Sequence, residues 1–325
     1  MKCSTRFAAQ INLPVWLLAL AFSPVLGAPD PQTAPSTAPM PTSSQSAAAE
    51  EPFSIVGVLK TLESGDSEPF VDLEFDSLVE FHKAEGDKTY VSISIAFHPD
   101  QLESTGGGAI QPFARLSAMN AEALRYEFTE AQDFADSFTA NTSGLKIYQT
   151  GYALPPGRYR LSTGAWSPNK ELVGGRTQII VVPAFAAGAL ELSSVTLAAA
   201  LERATDTNPT VKQPFIWGSF KVVPHVEKSF PRQDPLRLYY QIYNAAADPE
   251  TGRPKLGITY TFFRKMNDMF QQAAPPQTLP EQESQVALYE LPLNGWPAGD
   301  FKVRIDVQDA VTQTSVTEEI LFKLR

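Results

Sequence analysis

Two turns rich in proline and glycine lead into nearly the same alternating sequence. The first spans Leu154 to Leu161 and reads LPPGRYRL, and the second spans Trp296 to Val303 and reads WPAGDFKV. In each, the turn releases the chain into a stretch where every second residue is apolar, which is typical of a strand near the end of a sandwich domain. We therefore identify Gly157 and Gly299 as structural turn residues. The repeat predicts two β-domains of related design.

Alternation of apolar and polar residues marks strands in both halves of the chain. Residues Thr89 to Phe97 alternate strongly, and residues Leu236 to Asn244 repeat the pattern. A period of two over this length indicates a half-buried β-strand. Residues Phe301 to Asp309 and Thr314 to Leu324 supply late strands. Few segments are long and periodic enough to be helices, so the predicted fold class is all-β, with antiparallel β-sandwiches.

The first residues have the layout of a secretory signal peptide. Lys2 and Arg6 supply positive charge, residues Val15 to Phe22 form a short apolar core, and small residues up to Gly27 suit cleavage. The alternative is an uncleaved membrane anchor, but the apolar stretch is shorter than the roughly 20 residues that a spanning helix needs. We therefore expect residues 1–27 to be removed, leaving a periplasmic or extracellular chain with no stable transmembrane segment.

The next segment and the domain boundaries follow from composition. Residues 28–52 are almost entirely Pro, Ala, Ser, Thr and Gln, which predicts a disordered linker. This linker could tether the domains to a membrane or wall, or be a tolerated tail, and the sequence leaves both open. The first β-sandwich domain is predicted at 53–205 and the second at 213–325. The boundary falls between 183 and 214, where the alternation loosens.

Charge and cysteine content restrict the function classes. The formal net charge is −10, and loss of Lys2 and Arg6 with the signal peptide makes it −12. Such a surface repels phosphate backbones, so nucleic acid is not an expected partner. Cys3, the sole cysteine, lies within the predicted signal peptide. An exported chain held together without disulfides fits a bacterial periplasmic or cell-surface protein.

No catalytic or metal-binding motif emerges from the residue spacing. The sequence has no Gly-x-Ser-x-Gly, no His-Glu-x-x-His and no phosphate-binding glycine loop. His82, His98 and His225 are scattered. His98 could touch a cation together with Asp100 and Glu103, but a solvated turn is the preferred interpretation. We therefore predict no catalytic residues, no cofactor and no metal.

Aromatic side chains are the remaining candidates for ligand binding. Tyr239, Tyr240 and Tyr243 lie in a strongly alternating segment, and exposed rings there would stack on a sugar or cover a peptide. Because Tyr239 and Tyr240 are consecutive, they point to opposite faces of a strand. One of them is therefore exposed or covered by the neighbouring domain. Alternation assigns Tyr260 and Phe262 to one shared face, and most aromatic residues here to the core.

The C-terminal part of the chain resembles a known group of β-modules. The segments from Pro235 to Asn244, Ile258 to Phe263 and Trp296 to Asp309 look like immunoglobulin-like modules that follow other domains in exported soil-bacterial proteins, including those with GWxTD or von Willebrand factor A-related domains. The resemblance runs from about Leu154 to the C-terminus and rests on strands and turns. Gly295 and Trp296 are not followed by x-Thr-Asp, and the Asp-x-Ser-x-Ser metal motif is missing, so neither head domain is implied. The resemblance implies two tandem immunoglobulin-like antiparallel β-sandwich domains in an exported accessory protein.

These features together predict an exported, non-catalytic accessory or binding protein of the bacterial cell envelope. Its expected partner is an envelope protein or an extracellular polymer. A carbohydrate-binding module is one alternative. An envelope hydrolase whose active groups assemble from distant loops is another, because sequence spacing does not exclude such a site.

Overall fold

The alternating segments form strands in the computed structural model, which describes residues 55–64, 70–100, 110–119, 125–128, 139–140, 144–167, 172–185, 188–204, 215–217 and 219–325. The predicted signal peptide at 1–27 and linker at 28–52 lie outside the described residues. The described part consists mostly of strands with one short helix, so the predicted all-β sandwich class is confirmed. Within it, no helix is long and apolar enough to cross a membrane.

The secondary structure begins with a helix, α1 (Ile55–Ser64). The strands of the first half are β1 (Phe70–Val71), β2 (Asp76–Lys83), β3 (Thr89–Phe97), β4 (Gln111–Ala118), β5 (Arg125–Phe128), β6 (Thr139–Ala140), β7 (Lys146–Leu154), β8 (Gly157–Ser167) and β9 (Leu172–Val182). Those of the second half are β10 (Glu191–Leu192), β11 (Thr196–Arg203), β12 (Ile216–Trp217), β13 (Phe220–Pro224), β14 (Ser229–Phe230), β15 (Leu236–Tyr243), β16 (Leu256–Met266), β17 (Met269–Gln272), β18 (Gln277–Thr278), β19 (Val286–Leu291), β20 (Gly299–Asp309) and β21 (Thr314–Leu324).

The first half forms a sandwich of two facing sheets. Sheet 1 has the strand order β1-β9-β8-β4-β5, and sheet 2 has the order β2-β3-β7-β6. Strand β3 places Val91, Ile93, Ile95 and Phe97 in the core between them, as the alternation predicts. Helix α1 packs on sheet 1 through apolar residues that include Leu59. The sequence analysis did not predict this helix. The strand pairs in this half are antiparallel.

The second half forms another sandwich. Sheet 3 has the order β10-β15-β11-β13-β12 with β19 on β15, and sheet 4 has the order β14-β21-β20-β16-β17 with β18 on β16. Alternate residues of β15, β16 and β20 fill its core, among them Tyr240, Tyr260 and Phe301. Tyr260 and Phe262 share the core face, as predicted, while Phe263 is only half-buried. Strand β14 pairs with β21 in parallel, and the other described pairs of sheet 4 are antiparallel.

A buried seam joins sheet 2 to sheet 3. Ala96 and Ile147 of sheet 2 pack with Phe215, Val223 and Val226 of the second half in one apolar cluster. The backbone contributes as well, because Ser194 N donates a hydrogen bond of 2.9 Å to Phe81 O. These contacts pack the two sandwiches together, and the described residues belong to one compact unit.

Ionisable side chains are buried in this seam. Glu80 and His82 of β2 are each 3% exposed. Burial raises the pKa of Glu80 to about 7, although the positive charge of Lys228 acts to lower this pKa. Burial lowers the pKa of His82 well below its usual value, and its ring lies 3.5 Å from that of Trp217, centroid to centroid. Both side chains are therefore uncharged over part of the physiological pH range.

Strand pairing shows where the chain passes from the first sandwich to the second. Strand β9 pairs with β8 in sheet 1, whereas β10 and β11 pair with β15 in sheet 3. The change therefore lies between Val182 and Glu191, inside the stretch 183–214 where the alternation loosens. Residues 191–203, included in the predicted first domain, hydrogen-bond to the second sandwich. The imperfect alternation of residues 191–203 did not reveal which sheet they join, because the strands to which they hydrogen-bond are distant in the sequence.

The two repeated turns start corresponding strands. Gly157 is the first residue of β8 and Gly299 is the first residue of β20. Their φ angles are 156° and 140°, a region that residues with a side chain rarely adopt. Glycine is therefore required at both positions by the backbone rather than by a lack of space.

Valine at either turn should destabilise the protein. We expect Gly157→Val and Gly299→Val each to lower the free energy of unfolding by about 1–3 kcal/mol, because a β-branched residue is strained at these φ angles. Urea titrations of the two variants and the wild type measure this. Gly188 also takes a positive φ, and no described atom lies within 4 Å of the position where its Cβ would stand. A Gly→Ala substitution there therefore measures the backbone strain alone. Two silent valine variants would contradict the structural role of these turns.

Candidate functional site

A cavity of about 380 Å³ lies at one end of sheet 4, beside the second of the repeated turns. Its walls come from the β16–β17 hairpin, the turn before β20, and the start of β20. The lining residues are Arg264, Met266, Gln271, Gln272, Ala273, Ala274, Gly295, Trp296, Pro297 and Phe301. We call this cavity the Trp296 pocket.

The hairpin that forms one wall has a tight turn. Asn267 and Asp268 have φ angles of 49° and 64°, which suits a two-residue hairpin loop. The register pairs Arg264 with Gln271, which places a guanidinium and an amide on the same face of the hairpin, whereas Gln272 pairs with Phe263 on the opposite face. Ala273 N then donates a hydrogen bond of 2.8 Å to Phe262 O and holds the end of the wall in place.

The turn before β20 supplies the aromatic wall. Trp296 N donates a hydrogen bond of 3.0 Å to Leu293 O, and Gly295 takes a φ of 83°. The indole of Trp296 packs 5.3 Å from the ring of Phe262 and 5.2 Å from that of Phe301, centroid to centroid. These core rings fix the orientation of the indole. Because Trp296 is only half-buried, part of its surface faces the pocket.

Arg264 provides the charged group of the pocket. Its Nη2 donates a hydrogen bond of 3.0 Å to Ala298 O, which ties β16 to the turn. Its Nε is buried and has no hydrogen-bond partner among the residues that the structure describes. Because this N–H is buried, an acceptor on a ligand would reach it only after the surrounding side chains move. The pocket therefore combines an aromatic surface with the amide of Gln271 and the guanidinium of Arg264.

The predicted ligand residues Tyr239 and Tyr240 lie inside the protein. Both are 0% exposed. Tyr240 points into the second core, where its hydroxyl is 2.9 Å from that of Tyr260. Tyr239 points into the seam, with its ring centroid 5.9 Å from that of Trp217. As the alternation requires, the two occupy opposite faces, and both faces are covered, so a ligand reaches neither ring without opening the packing.

Tyr243 is half-buried at the margin of the seam. Its hydroxyl donates a hydrogen bond of 2.6 Å to Gln241 Oε1 and accepts one of 3.0 Å from Lys83 N, which belongs to β2. Its ring packs 5.0 Å from that of Phe185, centroid to centroid. Burial is the main reason that the pKa of Tyr243 rises to about 12. In this structure, Tyr243 connects the sandwiches.

A second group of polar residues gathers around His98. One nitrogen of His98 and carboxylate oxygens of Asp76 and Glu227 all lie within 4.8 Å of one another. Asp100, which the sequence placed beside His98, is not a member of the group, and Glu103 lies outside the described residues. The other two histidines are buried, and burial lowers the pKa of His82 and of His225, the latter to about 4.

Comparison with known proteins adds little to this geometry. No protein-family model matches the chain, and no curated protein is similar to it. Among solved structures, Escherichia coli alpha-2-macroglobulin activated by porcine elastase has 13% sequence identity, with 78% of this chain and 23% of that chain covered and a TM-score of 0.24. A DUF4785 family protein from Legionella pneumophila has 11% identity, with 78% and 57% covered and a TM-score of 0.22. This chain thus spans less than two thirds of either protein, and likenesses this weak carry no argument about its fold or activity.

The sequence contains part of the signal for the Trp296 pocket. The repeated turn drew attention to residues 296–303, whereas Asn267-Asp268 is a weak hairpin signal, because both residue types tolerate positive φ but the pair contains no glycine. The approach of Gln271 and Arg264 to Trp296 was not predicted. It depends on the register of β17 on β16, which the sequence does not specify.

Proposed function

We propose that this chain is an exported, non-catalytic binding protein of the bacterial cell envelope, and that the Trp296 pocket is its binding site. The expected ligand is a segment of an extracellular polymer with an apolar face and a polar rim, as a carbohydrate has. The observation that carries the proposal is the half-buried indole of Trp296 in the same cavity as the amide of Gln271 and the guanidinium of Arg264. Ligand sites in proteins commonly combine such apolar walls with a few polar groups that set orientation.

The chemistry of the lining favours binding over hydrolysis. Its polar side chains are Arg264, Gln271 and Gln272, and none of the three is a usual nucleophile or general acid–base group. The three donate hydrogen bonds, and the two amides accept them as well. An envelope hydrolase stays an alternative that would need a site elsewhere in the chain.

Export forms the second part of the proposal. It rests on the signal-peptide pattern at 1–27, the absence of cysteine from the mature sequence, and the resemblance to immunoglobulin-like modules beside GWxTD and von Willebrand factor A-related domains. Fractionation of cells that express the full chain tests it directly. We expect the chain in the periplasm or medium, starting at Ala28. Full-length protein recovered only from the cytoplasm would contradict export.

Removal of the indole should abolish most binding. We expect the Trp296→Ala variant to bind its strongest glycan-array ligand at least about 10-fold more weakly than the wild type, because buried tryptophan contacts often dominate binding energy. Gln271→Ala, at an exposed position, should weaken the same ligand about 5-fold through one lost hydrogen bond. Isothermal titration with the ligand measures both.

A neighbouring substitution controls for general damage to the hairpin. Met269 lies on the same hairpin, is 63% exposed and does not line the pocket, so Met269→Ala should bind like the wild type. Because Trp296 packs on core rings, circular dichroism of each variant must show an intact fold. Equal affinity of folded wild type, Trp296→Ala and Gln271→Ala would exclude the pocket as the binding site.

A further inference from the structure

We propose that Asp76, His98 and Glu227 form a binding site for a divalent cation of the Zn²⁺ class that links the two sandwiches. The three side chains come from separate parts of the chain. Asp76 is the first residue of β2, His98 follows β3, and Glu227 lies between β13 and β14. The inference is independent of the Trp296 pocket and of the proposed binding function.

The donor atoms already face a common point. The ligand atoms of the three residues lie within 4.8 Å of one another, and His98 Nε2 is 3.2 Å from Glu227 Oε1. A zinc ion bonds to histidine nitrogen and carboxylate oxygen at about 2.0–2.2 Å. Donor atoms around such an ion are therefore roughly 3–4 Å apart, so small side-chain movements would suffice to complete the site.

Pairing of β2 with β3 explains why two of the ligands meet. The register pairs Asp76 with Ala96, so the start of β2 lies beside the end of β3 and Asp76 comes close to His98. Packing of sheet 2 on sheet 3 through the seam then brings Glu227 to the same place. The site thus depends on the contact between the sandwiches.

The carboxylate of Glu227 is held in an orientation that suits a cation. Its Oε2 accepts a hydrogen bond of 3.3 Å from Arg325 Nη2, whereas its Oε1 faces His98. The Arg325 guanidinium is held in turn by a hydrogen bond of 3.4 Å from its Nη2 to Ser229 O. One oxygen is therefore occupied by the protein while the other remains directed at the site, which is how outer groups commonly orient metal ligands.

The donor set selects the class of ion. Imidazole nitrogen suits Zn²⁺ and similar transition metals, whereas Ca²⁺ takes six to eight oxygen ligands. Three protein ligands with open coordination positions leave room for water. The His98 side chain is 48% exposed and that of Glu227 is 13% exposed, so an ion can enter from solvent. A site shared by both sandwiches would stabilise their contact whenever the ion is bound.

Titration of the full-length mature protein with Zn²⁺ alone tests the proposal. We expect one ion per chain by isothermal titration, a rise in Tm of about 5 °C at a hundredfold excess over Kd, and no comparable effect of Ca²⁺. A wild-type protein that binds no Zn²⁺ with this stoichiometry would overturn the proposal.

Variants separate this site from adventitious binding. His98→Ala and Glu227→Gln should each weaken Zn²⁺ binding at least about 100-fold and remove the Tm rise. Asp87→Asn, in the exposed turn between β2 and β3, is the control and should behave like the wild type. Because His98 is half exposed, its alanine variant should fold, which circular dichroism without metal checks. Retention of tight binding by both folded variants would also overturn the proposal.

Discussion

An alanine at position 164 should destabilise the protein by about 3 kcal/mol or more. Gly164 of β8 pairs with Gly175 of β9, at a point where the sheet packs too closely for any side chain. A Cβ there would overlap the carbonyl oxygen of Gly174 and lie 2.6 Å from Phe113 Cζ and 2.8 Å from Gly175 Cα. Because two of these atoms belong to the backbone, rotamer changes cannot relieve the overlap. Urea unfolding of Gly164→Ala against the wild type measures the loss.

A second strand glycine provides the matched control. Gly257 of β16 has no atom of the described residues within 4 Å of the position where a Cβ would stand. Gly257→Ala should therefore change stability by less than about 1 kcal/mol, and in the stabilising direction, since glycine weakens strands through its backbone entropy. If Gly164→Ala were as stable as Gly257→Ala, the close approach of β8 to β9 would be refuted.

Replacing Glu80 by glutamine should stabilise the protein by about 3 kcal/mol at pH 8. Burial raises the pKa of Glu80 from 4.5 to about 7 in the folded state. The folded protein then binds the proton more tightly than the unfolded chain, so this group's contribution to stability is full below pH 4.5 and is lost as the pH rises to 7. Glutamine does not ionise and avoids that loss.

The pH dependence distinguishes this effect from a packing change. The stability difference between Glu80→Gln and the wild type should be near zero at pH 4, grow up to pH 7 and then level off. His82 and His225 are present in both proteins, so their titration cancels in the difference. The same substitution at Glu85, which is exposed, is the control. A difference that is constant with pH would show that Glu80 ionises as freely in the folded protein as in the unfolded chain.

The alternation of apolar residues predicted individual strands well. Strands β3, β15 and β20 coincide closely with the segments identified from a period of two, because one face of each packs in a sandwich core. The prediction of half-buried strands holds for β20 but not for β3, whose second face is buried as well. Helix α1 was missed although Ile55, Leu59 and Leu62 follow helical spacing. Its apolar stripe is short and borders the predicted linker, so nothing in the sequence shows that sheet 1 provides a surface for it.

What the sequence does not reveal is which surface covers each face. Alternation assigned Tyr239 and Tyr240 to opposite faces, but burial of Tyr239 requires Trp217, from a strand whose position depends on long-range pairing. The same holds for His98. Its neighbour Asp100 was considered as a partner, whereas strand pairing and the seam bring Asp76 and Glu227 to it. Sites assembled by contacts between sheets leave no local motif.

The seam also determines how the molecule would behave when cut. Cleavage between Val182 and Glu191 would separate two polypeptides that each carry an apolar face, with Ile147 on one and Phe215 on the other. Exposed faces of that kind drive aggregation. Neither piece should stay soluble at the concentrations that the intact chain tolerates, whereas the two expressed together should recover a soluble complex. Shortened forms of this protein for biochemical work should therefore retain both sandwiches.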